Sequence, residues 1–253
     1  MCPNYDIERA IFDRVASRTI ITPMNKATFD RYASPRWPHL FPKETMFALA
    51  GDVRGKTILE VGCGEGREAV QLAYCGANVT GIDISDVSID VARKRADLEG
   101  FKIEFKVDNI VENDSLGDEC FDIIWCNLIL HHIADSLDLV MHKIKHALKP
   151  GGMFISREPV TYARWLKQIR DLFPKCSEKE DDPNEQPFRD HEFKIVNKHF
   201  PNLSVRPYRI LARADYVVNN LFIIRTLARA DNLLFRFPGT TSLAGDVIMW
   251  ARK

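Results

Sequence analysis

Ile58-Leu59-Glu60-Val61-Gly62-Cys63-Gly64-Glu65-Gly66 is the stretch from which the rest of the chain is read. A short β-branched run, Thr57 to Val61, ends in closely spaced glycines, and Glu68 to Tyr74 then reads as a helix that stops at Gly76. Glycines at a strand-to-helix turn let the backbone approach a ligand closely, and the helix N-terminus offers free N–H groups. Such a loop is shared by dinucleotide folds and by simple tight turns. The next strand, Asn78 to Ile82, ends in Gly81-Ile82-Asp83-Ile84, so Asp83 lies 83 − 62 = 21 residues after Gly62. A carboxylate at the end of a second strand accepts hydrogen bonds from both ribose hydroxyls of a nucleoside.

Outward from this stretch the chain alternates strand and helix. Ser85 N-caps a helix that runs toward Leu98 and ends at Gly100, and Phe101 to Val107 alternates as a third strand. Phe121 to Cys126 reads as a buried fourth strand. A helix over Asp135 to Leu148 closes at Lys149-Pro150-Gly151-Gly152, and Met153 to Ser156 is a fifth strand. Helices follow over Tyr162 to Phe173 and Asp190 to Phe200, separated by a polar, acidic loop, Pro174 to Pro187. A sixth strand covers Leu203 to Ile210, an apolar helical stretch Tyr216 to Phe235, and a seventh strand Gly245 to Ala251. Before the first strand, Ile7, Ile11, Phe12 and Val15 predict a helix, Phe29 to Pro38 a loop with large anchors, and Pro42 to Leu49 another helix. The alternation predicts an α/β fold, a doubly wound, mostly parallel seven-stranded sheet with an N-terminal helical arm and helical insertions near the C-terminus.

Composition narrows the function classes. The 253 residues are 45% hydrophobic and 28% charged, which excludes a mostly disordered or fibrous chain. Lys plus Arg and Asp plus Glu are each 35, so bulk electrostatic attraction to nucleic acid or anionic lipid is not expected. The start, Met1 to Asp6, lacks the basic and apolar regions of a secretory signal, and no window resembles a membrane span. The six cysteines form no Cys-x-x-Cys and no metal spacing; they read as reduced thiols, mostly in the core, and no metal is expected. Cytoplasmic localisation follows as an expectation.

The central segment resembles the class I S-adenosylmethionine-dependent methyltransferases. The resemblance rests on Ile58 to Gly66, Gly81-Ile82-Asp83-Ile84-Ser85, Asp108-Asn109, Phe121 to Ile133, and Leu148-Lys149-Pro150-Gly151-Gly152, in family order and with family spacing. It covers roughly residues 56–158 and implies a Rossmann-like sheet. The whole chain then reads as a single domain: an arm over 1–55, a cofactor-binding core over 56–158, substrate-side helices with the acidic loop and late insertion over 159–244, and the last strand over 245–253. By this resemblance Gly62, Cys63 and Gly64 line the methionine and ribose part of S-adenosylmethionine, and Glu60 holds the loop or accepts from the cofactor amine through water. Asp83 binds the ribose diol and Ile84 packs on adenine. Asp108 accepts from the adenine amino group, with Asn109 and Ile110 beside it. Asn127 and Leu128 lie against the methionine moiety. A nicotinamide enzyme shares the glycine loop and Asp83 but has no need of Glu60, Asp108 and the Pro-Gly-Gly turn together.

Methyl transfer needs a general base only where the acceptor is protonated at neutral pH. His131 and His132, after the fourth strand, are candidate bases, each with a loop-holding role as the alternative. Glu158, in Ser156-Arg157-Glu158-Pro159, is a third candidate, with an ion pair to Arg157 or another neighbour as the alternative. Tyr32, Arg36 and Trp37 are candidate lid or substrate residues, with plain packing of the arm as the alternative. The stretch Tyr216 to Phe235 reads as core packing, an acceptor lid, a dimer face or a lipid-contacting helix. The expected function is methyl transfer from S-adenosylmethionine to oxygen or nitrogen of a small-molecule acceptor, in a monomer or homodimer. A lipid or polyprenyl-linked acceptor at a membrane surface, and a non-catalytic adenosyl-binding scaffold, are the alternatives. Nucleic acid is not expected as acceptor, since no Asn-Pro-Pro-Tyr-type signature follows the fourth strand.

Overall fold

The computed structural model describes residues 5–34, 39–112, 116–160, 187–216, 218 and 220–253. The expected helix over 162–173, nearly all of the acidic loop, Arg36, Trp37, Cys2 and Cys176 lie outside these residues.

Seven strands form one sheet: β1 (Thr57–Val61), β2 (Asn78–Asp83), β3 (Glu104–Val107), β4 (Phe121–Asn127), β5 (Leu148–Pro159), β6 (Ser204–Tyr208) and β7 (Asp246–Arg252). Their order is β3-β2-β1-β4-β5-β7-β6. The first five strands pair in parallel, and β7 runs antiparallel to both β5 and β6. The described α-helices are α1 (Tyr5–Ser17), α2 (Lys26–Ala33), α3 (Pro42–Ala50), α4 (Arg67–Tyr74), α5 (Asp86–Glu99), α6 (Leu137–Ala147), α7 (Asp190–His199) and α8 (Leu221–Leu234). This is the expected doubly wound, mostly parallel α/β sheet.

The period-two alternation of strand side chains divides the core between the two faces. Leu59, Val61, Ile124, Cys126, Phe154 and Met249 pack with Val140, Met141 and Ile144 of α6 and Val196 of α7. Ile58, Ile123, Trp125, Ile155 and Ile248 pack on the other face with Met46 and Phe47 of α3, Leu72 of α4 and Ile89 of α5. Truncating a fully buried residue such as Ile124 to Ala is expected to cost about 2–5 kcal/mol. At the carboxyl ends the alternation continues with polar residues. Glu60 is in register with Trp125, and Asn127 with Arg157, so these three polar side chains belong to the α3–α5 face. Ser156 and Glu158 belong to the α6–α7 face by the same parity.

Several boundaries differ from expectation for identifiable reasons. Phe29 to Ala33 is helical, not looped: Asn25 N-caps α2 by accepting the Ala27 N–H, and Phe29 is buried against Tyr74. The prolines that suggested a loop lie beyond the helix end. β3 starts at Glu104, because the Phe101 N–H closes the end of α5 on the Ala96 carbonyl. β5 starts at Leu148: the Pro150-Gly151-Gly152 turn is a bulge inside its ladder with β4, between the Phe121–Leu148 and Ile123–Met153 pairs. β6 stops at Tyr208, because Arg209 is left-handed (φ +66°) and the Ile210 N–H is held by Asp231. α8 starts only at Leu221, where Asn220 accepts the N–H groups of Phe222 and Ile223. Cys63 and Cys126 are buried, but Cys120 is exposed, on the edge where β4 begins.

Candidate functional site

The loop after β1 is held at its crest by a carboxylate. Asp83 Oδ2 accepts the Gly64 N–H at 2.8 Å, and its Oδ1 accepts the Ser85 N–H at 2.9 Å. Burial pushes the Asp83 carboxyl above the usual range, against these two N–H groups. Gly62 (φ +68°) has no room for a side chain, since a Cβ would meet the Ile129 side chain at 2.6 Å. Gly64 (φ +48°) faces open space, which leaves its backbone approachable. The Asp108 N–H donates to the Asp83 carbonyl at 2.9 Å, bringing the ends of β2 and β3 together. Asn109 Oδ1 accepts the Val111 N–H, Ile110 is buried, and Ile84 is half-buried beside Asp83. Cys63 lies beneath the loop, its thiol pushed well up by burial.

On the α3–α5 face a second carboxylate is left incomplete. Glu60 is 3% exposed, and its Oε2 has no hydrogen-bond partner among the described residues. Burial and the neighbouring Glu68 push its carboxyl well up. Glu68 itself is fully engaged. It pairs with Lys43 Nζ at 2.8 Å, accepts Asn127 Nδ2 at 2.9 Å, and accepts Trp125 Nε1 at 2.8 Å. Asn127 Oδ1 is likewise buried without a partner among the described residues. Leu128 follows in a left-handed conformation (φ +60°), its N–H donating to the Arg157 carbonyl at 2.8 Å. The roles of Lys43 and Glu68 were not foreseen from the sequence. A Glu eight residues after Glu60 lands beside it only once strand, loop and α4 are folded together.

The α6–α7 face carries the candidate bases, bound to one another. His131 Nδ1 lies 2.7 Å from Glu158 Oε2, and both side chains are buried. Glu158 also accepts the N–H groups of Leu130 at 3.0 Å and His131 at 3.3 Å, and the Ser156 hydroxyl at 3.0 Å. Its partner is therefore His131, whereas Arg157 pairs with Asp246. His132 Nδ1 lies 3.1 Å from Glu8 Oε1 of α1, with Phe12 edge-on to its ring. α1 also reaches the cofactor side, where Asp13 accepts the Ser85 hydroxyl at 2.5 Å. Tyr32 stacks on Phe47, with Lys43 Nζ 5.1 Å from its ring, and lines a cavity of about 270 Å³ next to Arg157. Among the described residues no helix is long and apolar enough to cross a membrane.

Two incomplete acceptors, Glu60 Oε2 and Asn127 Oδ1, beside an approachable glycine loop suit a ligand that brings a cationic amine; S-adenosylmethionine carries one. Comparison with known proteins agrees. A family model described as a methyltransferase domain matches residues 52–214. Ubiquinone biosynthesis O-methyltransferases of Actinobacillus pleuropneumoniae and Rickettsia conorii are 39% identical over 108 residues and 36% identical over 124 residues. These matches cover 41% and 49% of this chain and 46% and 42% of the relatives, so the chain spans about half the length of the curated relatives it matches. A solved S-adenosylmethionine-dependent methyltransferase from Archaeoglobus fulgidus shares the fold at 14% identity, with a TM-score of 0.58 over 90% of this chain and all of that one. The glycine loop, the strand order and the extent of the family match together make this chain a member of the class I S-adenosylmethionine-dependent methyltransferase family.

Proposed function

We propose that the chain transfers a methyl group from S-adenosylmethionine to an oxygen of a small-molecule acceptor. The observation that carries the reading is the pair of unmatched buried oxygens, Glu60 Oε2 and Asn127 Oδ1, at the carboxyl ends of β1 and β4. The cofactor supplies a methyl group already activated on a sulfonium, so the protein's task is to bind, orient and exclude water. Glu60 and Asn127 would take the amine, the Gly62-Cys63-Gly64 backbone would follow the chain of the ligand, and Asp83 would take the ribose hydroxyls. Ile84, Asp108, Asn109 and Ile110 would surround adenine, and Leu128 would border the methionine end. Oxygen is favoured because the curated relatives are named O-methyltransferases. A hydroxyl acceptor gives up its proton, and His131, oriented through Nδ1 by Glu158, is the candidate base. Saturation of Glu158 by four donors supports a positioning role for it.

Calorimetric titration with S-adenosylmethionine, S-adenosylhomocysteine and NAD tests the cofactor reading, with Asp83→Ala as control. Binding of both adenosyl ligands, absent for NAD and lost in the variant, is expected; a folded protein that binds neither overturns the reading. A second reading, a lipid-like acceptor met at a membrane surface, is favoured by the outer side of α8. There Phe222 is 76% exposed and Leu233 56% exposed, beside exposed Arg225 and Arg229. Flotation with anionic liposomes that is lost in Phe222→Asp would support it, and sedimentation of the wild type away from lipid would remove it.

A further inference from the structure

Glu68 is a buried carboxylate that meets three side-chain donors. It is 8% exposed and sits in the first turn of α4, where the free N–H end of the helix suits a negative charge. Its Oε1 accepts Asn127 Nδ2 at 2.9 Å and pairs with Lys43 Nζ of α3 at 2.8 Å, and its Oε2 accepts Trp125 Nε1 at 2.8 Å. Trp125 and Asn127 are two residues apart on β4, so both belong to the sheet face that carries Glu60. An indole N–H and an ammonium can only donate. The position therefore needs an acceptor at both ends. A carboxylate supplies two, whereas an amide of the same shape turns a donor toward one side or the other.

Of the three neighbours, Asn127 alone can meet Glu68 in two ways. Its amide presents Nδ2 or, after a half-turn about the last side-chain torsion, Oδ1. The carboxylate accepts only the first. That choice leaves Oδ1 for another partner, and it is buried with none among the described residues. Glu60 Oε2 is in the same condition on β1, the adjacent strand. We infer that Glu68 is a positioning residue for cofactor binding, which fixes the Asn127 amide so that Oδ1 accepts from the amine of the ligand. The inference rests on the reading of Glu60 and Asn127 as the amine site. Glu68 acts through Asn127, because Lys43, Asn127 and Trp125 already occupy both of its oxygens.

Glu68→Gln keeps the shape and turns one acceptor into a donor. With its oxygen toward Trp125, the new amide directs its NH2 at Asn127 and Lys43. Asn127 then rotates, and Nδ2 replaces Oδ1 opposite the ligand's ammonium, donor against donor. The test is calorimetric titration of S-adenosylhomocysteine and of its deaminated analogue, in which hydrogen replaces the α-amine. The wild type is expected to bind the amine-bearing ligand at least about tenfold tighter, the worth of one hydrogen bond to a charged group. In Glu68→Gln that preference falls below about threefold, while affinity for the analogue holds within about twofold. Combining Glu68→Gln with Asn127→Asp exchanges the roles. The new amide donates to the new carboxylate, whose second oxygen again accepts the amine, and the preference returns. Loss of a merely structural contact would weaken both ligands alike and would not be repaired by the exchange. A folded Glu68→Gln that keeps the full preference, or an exchange variant that does not restore it, overturns the inference. Where Glu68→Gln alone does not fold, the exchange decides, since it matches the donors again; an exchange variant that does not fold also overturns the inference. Equal affinity of the wild type for the two ligands overturns the amine contact and leaves methyl transfer standing, whereas a folded wild type that binds neither refutes the cofactor reading.

Discussion

Glu60 and Glu158 are both buried carboxylates at the carboxyl edge of the same sheet, one on each face, yet they are treated oppositely. Glu158 is 0% exposed and meets four donors, from Leu130, His131 twice, and Ser156. Glu60 is 3% exposed and keeps one oxygen with no donor among the described residues. Both groups lost water on folding. Glu158 received donors for both oxygens, whereas Glu60 received the backbone N–H of Ala69 and no donor for Oε2 among the described residues. A buried acceptor without a partner costs about 1–3 kcal/mol, so a fold retains one where something outside the chain completes it. The saturated carboxylate therefore reads as a fastener for the loop after β4, and the unsaturated one as a ligand contact.

The largest expected effect comes from undoing the fastener. Glu158→Ala leaves two backbone N–H groups, a hydroxyl and an imidazole unmatched in the core, and should cost about 3–5 kcal/mol. For a chain of this size that is a fall of roughly 10 °C in melting temperature, read by calorimetry. A variant that melts like the wild type but no longer transfers methyl would break the comparison and put Glu158 in the chemistry.

Glu60→Gln should act in the reverse sense. It removes a carboxylate whose ionisation burial and Glu68 oppose, so the ligand-free protein should gain about 1–2 kcal/mol at neutral pH while cofactor affinity falls at least about tenfold. The pH dependence follows from the raised value. Between the unfolded-state value and the higher folded one the native chain holds more protons, so the wild type loses stability as pH rises through that window. The variant should lack this loss. Melting curves of both proteins from acidic to neutral pH decide it, and parallel curves would mean that Glu60 is not the strained group.

The contrast also marks what was legible in the sequence. Glu60 and Asp108 came from the resemblance to the family, whereas Asp83 was found because it ends a strand, and strand ends are visible in the alternation of apolar residues. Glu158 was found for the same reason, but its partner was not, because the choice between Arg157 and His131 depends on which face each residue takes. Lys43 and Glu68 escaped altogether. Neither lies at a strand end, and their meeting with Asn127 and Trp125 depends on how α3 and α4 pack on the sheet. α2 was missed because the prolines after it were read as breaking a segment whose helical spacing, Phe29 to Tyr32 and Ala33, was already present. The left-handed Arg209 carries no sequence signal, since its conformation is imposed by Asp231, 22 residues further on by number (231 − 209 = 22).

The smallest effect concerns a contact of intermediate kind. His132 is tied to Glu8 of α1, and the same helix reaches Ser85, two residues past Asp83, through Asp13. The arm thus bridges the fastened loop after β4 and the cofactor side of the sheet. A double-mutant cycle of Glu8→Gln and His132→Asn should give a coupling of about 0.5–1 kcal/mol in thermal stability. The informative quantity is how that coupling changes with ligand. If α1 closes over the cofactor, saturating S-adenosylhomocysteine tightens the arm and the coupling grows. If α1 only packs on α5, the coupling stays the same with ligand and without it. A coupling of zero in both conditions would remove the Glu8–His132 contact from the fold, and with it the link between the two faces that α1 supplies.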